Sequence, residues 1–416
     1  MKLLIAIPAL NEEESIAATI SRCLAARSRI IAETAVTEVE ITVISDGSTD
    51  RTVEIAKRYS DTIRLIVFKK NRGYGAAITQ AWLSSDADLL GFLDADGTCD
   101  PEFFVNLCRE LIDNWADVTI GCRLNQQSRM PLVRRIGNTL FAWTLSLLSS
   151  TRVKDTASGM RVVRRSSLTQ LFPLPAGLHF TPAMSARAIL SDNLSIREVD
   201  MPYHEREGES KLNPIKDGVR FLRVILKTAL LYRPSRLLGL AASVLVALTV
   251  LMMAYPALFY VQYGRLEEWM IYRTLVGELL MGIAIMIGSV SHLGSKAAGI
   301  SLACEPADYR DQGPWGWLLG RRWFWAVPGG LVLLGASFVL QASQTFLLTG
   351  TVTEHWSRFV AMMFCLSTAA NLSVVKIVDY CLNMLAQRLS YLKQAETPAD
   401  AALPFHREEL FLREAA

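Results

Sequence analysis

The sequence contains no Cys-x-x-Cys pair, and its seven cysteines, at positions 23, 99, 108, 122, 304, 365 and 381, are odd in number. A disulfide miniprotein is therefore excluded, and the cysteines read as reduced, cytosol-facing or core residues. Charge is also scarce. Only 20% of residues carry one, and 43 Lys and Arg against 40 Asp and Glu leave +3. So small a surplus argues against a nucleic-acid binder, and any basic patch is local. At 416 residues, 51% hydrophobic and with mean hydropathy +0.26, the chain is too long for one ordinary domain and too apolar to be wholly soluble.

The apolar surplus is confined to the second half. Leu237 to Tyr263 carries no charge and exceeds the roughly 30 Å of a bilayer core at about 1.5 Å per helical residue. Leu275 to Ser295, interrupted by Glu278, makes a second span. Val327 to Leu348 makes a third, behind a Trp323, Phe324, Trp325 interfacial cluster, and Phe359 to Val375 a shorter fourth. Basic residues near span ends favour one side: Arg220, Arg223, Lys227, Arg233 and Arg236, then Lys296, Arg310, Arg321 and Arg322, against Arg265, Arg273 and Arg358 on the other. This predicts a multi-pass protein of the cytoplasmic (inner) membrane, with its amino-terminal domain and both termini in the cytoplasm. Leu3 to Leu10 is too short for a signal core and reads as a strand. Within the spans, Glu278 and His292 are polar exceptions accounted for by snorkelling or helix contacts, and Lys376 with Asp379 reads as an exposed pair.

The soluble half alternates. Apolar runs at Leu3 to Ile7, Ile41 to Ile44, Ile63 to Phe68, Leu89 to Leu93 and Val118 to Gly121 are separated by helix-patterned stretches, which predicts an α/β, doubly wound, mainly parallel sheet. Asn11 and Glu14 have capping-box spacing, and Asp100 before Pro101 resembles an N-cap with proline at the first helical position. Ligands bind such sheets beyond the carboxyl ends of the strands, where Asp46, Asp94 and Asp96 fall. Asp94 and Asp96 are spaced to share a hard divalent cation and its phosphate ligands, although a DxD alone is equally a pair of turn-forming aspartates. Glu13 and Glu14 read as ordinary first-turn acids. In Asn71 to Ala76 the glycines, Gly73 among them, permit close approach of backbone to ligand. This GxG follows the third strand, and the first strand turns through Pro8, Ala9 and Leu10 with no glycine, which disfavours a dinucleotide cofactor.

Taken in order, IAIPALNEEESI (5–16), VISDGSTDRT (43–52), NRGYGAA (71–77), FLDADGTCDPEFF (92–104), DTASGMRVVRR (155–165) and EREGESKL (205–212) resemble the family-two inverting glycosyltransferases of the GT-A fold, in the polyprenyl-phosphate (dolichyl-phosphate-mannose-synthase-like) branch. The resemblance covers residues 3 to about 230. It implies that Pro8, Asn11, Glu12 and Asp46 line the nucleotide base and ribose, and that Asp94 and Asp96 hold Mg²⁺ or Mn²⁺ and the sugar diphosphate. It further assigns Arg123 and either Arg134 or Arg135 to the acceptor phosphate, and Arg206, Ser210 and Lys211 to a loop closing over the diphosphate. Asp155 and Ser158 are candidates in the fifth motif, with a simple capping role as the alternative. Two departures stand out. Ser45 replaces the first of two adjacent aspartates common in the family, and Thr98 stands where the mannose-synthase branch can carry a metal-assisting glutamine. The QxxRW motif of processive synthases is absent.

Physics also asks for arginines, because a sugar nucleotide and a lipid phosphate bring several negative charges together. Lys216, Arg220, Arg223 and Lys227 share one helix face opposite Val219, Leu222, Leu226 and Leu230, which predicts an interfacial amphipathic helix; Ile136 to Leu148 is a second such helix or a core one. The expected organisation is a catalytic domain at 1–212, interfacial helix and linker at 213–236, a four-helix transmembrane domain at 237–386 and a cytoplasmic tail at 387–416. The expected activity moves one hexose from a nucleotide-diphosphate sugar to polyprenyl phosphate at the bilayer, with Mg²⁺ or Mn²⁺ and no nucleic-acid partner; a homo-oligomer is left open. A second reading makes the acceptor a lipid hydroxyl, of diacylglycerol or a sphingolipid, with Asp155 as the base. A third is non-enzymatic, a lipid flippase or scaffold.

Overall fold

The computed structural model describes residues 1–125, 130, 132–149, 151–191, 193–202, 214–263, 266–302, 314–351 and 355–396. The chain divides into two compact units, Met1–Arg233 and Pro234–Ala416. The predicted interfacial helix therefore folds with the first unit.

In that unit, β1 (Lys2–Ala9), α1 (Ile16–Glu33), β2 (Glu38–Ser45), α2 (Thr52–Lys57), β3 (Arg64–Val67), α3 (Tyr74–Leu83) and β4 (Leu89–Leu93) alternate as the apolar runs require. Then come α4 (Phe104–Asp113), β5 (Val118–Cys122), α5 (Leu132–Leu148), β6 (Met160–Arg164), α6 (Leu168–Leu171), α7 (Phe180–Leu190), β7 (Ile196–Asp200) and α8 (Pro214–Tyr232). The sheet runs β3-β2-β1-β4-β6-β5-β7. Its pairings are parallel except where β6 lies antiparallel between β4 and β5. This is the mainly parallel GT-A arrangement. Strand order reverses between β1 and β4, so the crevice of a wound sheet opens beyond Ala9 and Leu93. Asp94 and Asp96 follow directly from there.

Leu3, Ile5 and Ile7 of β1 and Ile16 and Ile20 of α1 are fully buried in the sheet–helix core. Asp100 caps as expected, its carboxylate accepting the Glu102 N–H with Pro101 next in line. The Asn11–Glu14 box does not form. Asn11 takes a left-handed backbone, φ 51°, and its carbonyl oxygen accepts the Thr49 N–H at 2.8 Å, so the helix begins after Ser15. Glu13 likewise turns outward from α1 and accepts the Arg51 N–H.

The second unit holds α9 (Pro234–Tyr263), α10 (Ile271–Leu302), α11 (Pro314–Leu319), α12 (Ala326–Thr349) and α13 (Trp356–Glu396). Its four long helices are each long and apolar enough to cross a membrane. Leucines and valines along them stand bare, with Val261 and Leu348 more than 80% exposed, an apolar surface that water does not favour. Lys376 and Asp379 are not an exposed pair. Asp379 is buried and accepts from His292 Nε2 at 3.2 Å and from Lys296, both on α10, while Lys376 donates to the Leu319 carbonyl. Lys296 is thus an internal cation. Helix α13 runs on past Val375, where the span read from the sequence ends, to Glu396.

Removing this carboxylate leaves the buried Lys296 ammonium without its counter-charge and takes a hydrogen-bond partner from His292. Asp379→Ala is expected to destabilise the second unit by about 3 kcal/mol, read as a lowered unfolding midpoint of full-length protein in detergent, with Asp379→Glu retaining most of the wild-type value.

Candidate functional site

A cleft of about 500 Å³ opens at the switch point, lined by the ends of β1, β2 and β4 and by α5 and α8. Its floor is assembled by loops that satisfy each other. Asp46, at the end of β2, is 3% exposed and accepts the N–H groups of Arg72 at 2.6 Å and Gly73 at 2.9 Å. Gly73 can present its N–H there because its φ of 104° is open to glycine, and a Cβ would fall 2.4 Å from the Ala176 carbonyl oxygen. Pro8 and Glu12 complete this end, with the Glu12 N–H donating to Thr52 Oγ1.

At the centre, Asp94 accepts a 2.6 Å hydrogen bond from the Tyr74 hydroxyl. Burial, then the neighbouring Asp94 charge, push the Tyr74 phenol well above its ordinary pKa, so it stays a donor. Asp96, 8% exposed, accepts from the Thr98 hydroxyl at 2.6 Å and its N–H at 3.2 Å. Thr98 thus orients Asp96 rather than supplying the missing glutamine's amide. Among the described residues no three His, Cys, Asp or Glu side chains form a metal cage. Two carboxylates still suit magnesium or manganese, which characteristically complete their shell with water and substrate phosphate oxygens.

The other end is built around Asp155, which is fully buried. Arg123 grips it with Nε at 2.7 Å, a terminal nitrogen at 2.9 Å and its own N–H at 3.0 Å, and Asn138 donates at 2.6 Å. Burial alone would raise this carboxyl; the Arg123 charge and these donors outweigh it and hold the pKa below the usual carboxylate range. Ser158 is buried too, donating to the Gly121 carbonyl at 2.6 Å. Beneath the motif, Arg161 is wholly buried and donates to the carbonyls of Thr156 and Ser158 and to Ser185 Oγ. Desolvation lowers its pKa to about 10, still cationic at neutrality.

Of the predicted site residues, Pro8, Glu12, Asp46, Gly73, Asp94, Asp96, Arg123 and Arg134 line one cleft. Asn11, Arg135, Asp155 and Ser158 do not: Asn11 braces the neighbouring loop, Arg135 faces outward, and the last two are sealed beneath. Asp155, the base of the lipid-hydroxyl reading, is fully buried, bonded to Arg123 and not among the residues lining the cleft. Arg206, Ser210 and Lys211 lie outside the described residues. Residues missed from the sequence are Tyr74, Arg161 and the α8 pair Asp217 and Arg220, hydrogen-bonded at 3.0 Å. Of these, Tyr74, Asp217 and Arg220 line the cleft, with Phe141 and Phe221 stacked edge to face, centroids 6.0 Å apart, beside them. Helix α8 buries Ile225 and Ala229 and half-buries Phe221, while Val219 and Leu230, on the stripe read from the sequence as interfacial, are exposed.

The profile described as glycosyl transferase family 2 matches residues 4–172. A dolichyl-phosphate hexose transferase of Haloferax volcanii is 35% identical over 194 residues, 45% of this chain and 80% of that protein. This chain belongs to glycosyl transferase family 2. The hexosyltransferase Agl6 of low-salt glycan biosynthesis, from the same organism, is 33% identical over 55% of this chain and 54% of its own. A dolichyl-phosphate beta-glucosyltransferase of Drosophila melanogaster is 29% identical over 51% of this chain and 70% of its own. All the cleft elements up to α7 fall within or close to the matched profile; α8, which closes one wall, lies beyond it.

Asp155→Asn is expected to cost this transferase about 3 kcal/mol at neutral pH, by stripping Arg123 of its anion. A folded pKa held below the unfolded value of about 3.9 contributes stability that is complete above roughly pH 5 and drains away as pH falls through the folded value. The difference in denaturation midpoint between wild type and variant should be flat from pH 5 to 8 and shrink below pH 4.

Proposed function

We propose that the protein transfers a single hexose from a nucleotide-diphosphate sugar to polyprenyl phosphate at the cytoplasmic face of the membrane, with inversion at the anomeric carbon. The observation that carries this reading is the composition of the cleft. Two carboxylates stand at the sheet's switch point, and Arg134 and Arg220 stand on α5 and α8 beside an apolar wall of Phe141, Phe221 and Met130. A sugar diphosphate suits the first end and a phosphate with a hydrocarbon tail the second.

In this reading Asp94 and Asp96 hold a divalent cation, which when bound stabilises the departing diphosphate. Pro8, Glu12 and the loop braced by Asp46 receive the nucleotide. Arg134 and Arg220 align the acceptor phosphate, whose second pKa of about 6 leaves it ionised near neutrality. Its oxygen attacks the anomeric carbon from the face opposite the leaving group; the carbon–oxygen bond to the diphosphate breaks, and the nucleoside diphosphate departs with the electron pair. No proton need be removed, consistent with the inaccessibility of Asp155. Arg123, already paired, contributes chiefly by shaping the acceptor end.

Lipid proximity has its own support. On α5, Leu132, Ile136, Leu140, Trp143 and Leu147 recur at helical spacing, and each is more than half exposed. Such a stripe suits the headgroup boundary of a bilayer. The names of the two dolichyl-phosphate transferases above agree with a polyprenyl-phosphate acceptor, and the basic residues near the span ends with a cytoplasmic site.

Full-length protein incubated with UDP- and GDP-sugars, polyprenyl phosphate and Mg²⁺ or Mn²⁺ should yield a labelled lipid from at least one donor. Asp96→Ala should lower turnover by on the order of a hundredfold or more; unchanged function in that variant would favour the non-enzymatic reading. Arg220→Ala should raise the acceptor KM about tenfold or more, the loss of one charged hydrogen bond of roughly 1.5 kcal/mol, with the donor KM unchanged.

A further inference from the structure

Asp94 is fixed from two sides by residues on different elements. Tyr74, the first residue of α3, lies twenty positions earlier and reaches Asp94 Oδ1 at 2.6 Å. Its ring has little freedom to do otherwise, packing edge to face on Phe92 and on Phe180, with centroids 6.4 Å away in both cases. Phe92 also precedes Asp94 by two residues on β4, so one aromatic box sets the donor and the strand end that carries the acceptor.

The second side is Gly159, immediately before β6. A Cβ built on it would lie 1.8 Å from Asp94 Oδ2 and 2.4 Å from the carboxyl carbon. The carboxylate therefore occupies space that any side chain at position 159 would fill. Gly159 has no positive φ to explain it. What glycine supplies there is room for the carboxylate alone.

We infer that Tyr74 and Gly159 are positioning residues for the divalent cation: the tyrosine hydroxyl fixes one Asp94 oxygen, the missing side chain of Gly159 leaves the space into which the other is packed, and together they set the carboxylate's direction toward Asp96 and the diphosphate. The inference rests on the reading of Asp94 and Asp96 as the cation's ligands. Groups that hold a ligand's orientation, without touching the metal, commonly set 10- to 100-fold of its affinity, an approximate range. Tyr74→Phe keeps the ring in its aromatic box and deletes only the hydroxyl. Gly159→Ala keeps the hydroxyl and pushes the carboxylate.

Mn²⁺ binding to purified full-length protein in saturating UDP or GDP, followed by the electron paramagnetic resonance signal of free Mn²⁺, separates the outcomes without turnover. Tyr74→Phe is expected to weaken Mn²⁺ binding about tenfold, with an unchanged melting temperature in the absence of metal, and to raise the Mn²⁺ needed for half-maximal transfer while leaving the acceptor KM as it was. Gly159→Ala should weaken binding at least as much. Equal Mn²⁺ affinity in Tyr74→Phe and wild type overturns the inference and leaves the proposed transferase reading intact. Failure of wild type to bind Mn²⁺ with either nucleotide overturns the cation reading and this inference together. Should Gly159→Ala fail to fold, the tyrosine variant decides alone.

Discussion

A carboxylate sealed from water must find its donors inside the protein, and Asp155 finds them in Arg123, Asn138 and the Ala157 N–H. Those partners come from the end of β5, from α5 and from the loop before β6, so one buried anion ties three segments together. The same group's N–H donates to Glu198 on β7. Arg123 and Asn138 both face the cleft, and their positions are consequences of this knot. Beneath it Arg161, in the middle of the sheet, holds the Thr156 and Ser158 carbonyls and gives the loop a rigid base.

The opposite end of the cleft uses the same device. Asp46 is buried and takes two backbone N–H groups, so the glycine loop after β3 hangs from the end of β2. Acidic side chains in this fold thus divide into two kinds. Asp46 and Asp155 hold backbone and cation partners in place, whereas Asp94 and Asp96 each take a hydroxyl donor and face a space large enough for a ligand. A sheet that reverses its strand order between β1 and β4 brings the second kind to the crevice, and the first kind keeps the crevice open.

Much of this was legible in the residues. Five apolar runs marked five strands; β1, β2, β4 and β5 are buried on both faces and read as continuous apolar segments, while β3, at the sheet edge, is only half-buried. Met160–Arg164 and Ile196–Asp200 escaped that reading: the first has arginine at two of five positions, one of them fully buried, and the second, at a sheet edge, is charged at three of five. The Asp100 cap was visible because its mechanism is local. Asn11 and Glu14 had the right spacing for a cap, but the loop's bonds to Ser48 and Thr49, some forty residues on, delayed the helix. Tyr74 lay inside a recognised motif, yet its role depends on Asp94, and nothing in either segment points to the other. Asp379 was misread for the same reason, its partners lying on α10, more than eighty residues earlier.

The helix α8 has a practical bearing on anyone wishing to work with the catalytic half in isolation. Recognisable transferase motifs end near residue 212, and a chain trimmed there would keep every strand of the sheet. It would also lack Asp217, Arg220 and Phe221, hence a whole side of the cavity, and would expose the faces of α5 and α7 against which that helix packs. Tyr232 and Arg233 fasten its far end to the carbonyls of Gln170 and Leu190, and Pro234 begins the first membrane-length helix at the next residue. The shortest piece that retains α8 with both of its far-end fastenings therefore stops one residue before that long apolar helix, leaving no spare linker in which to cut.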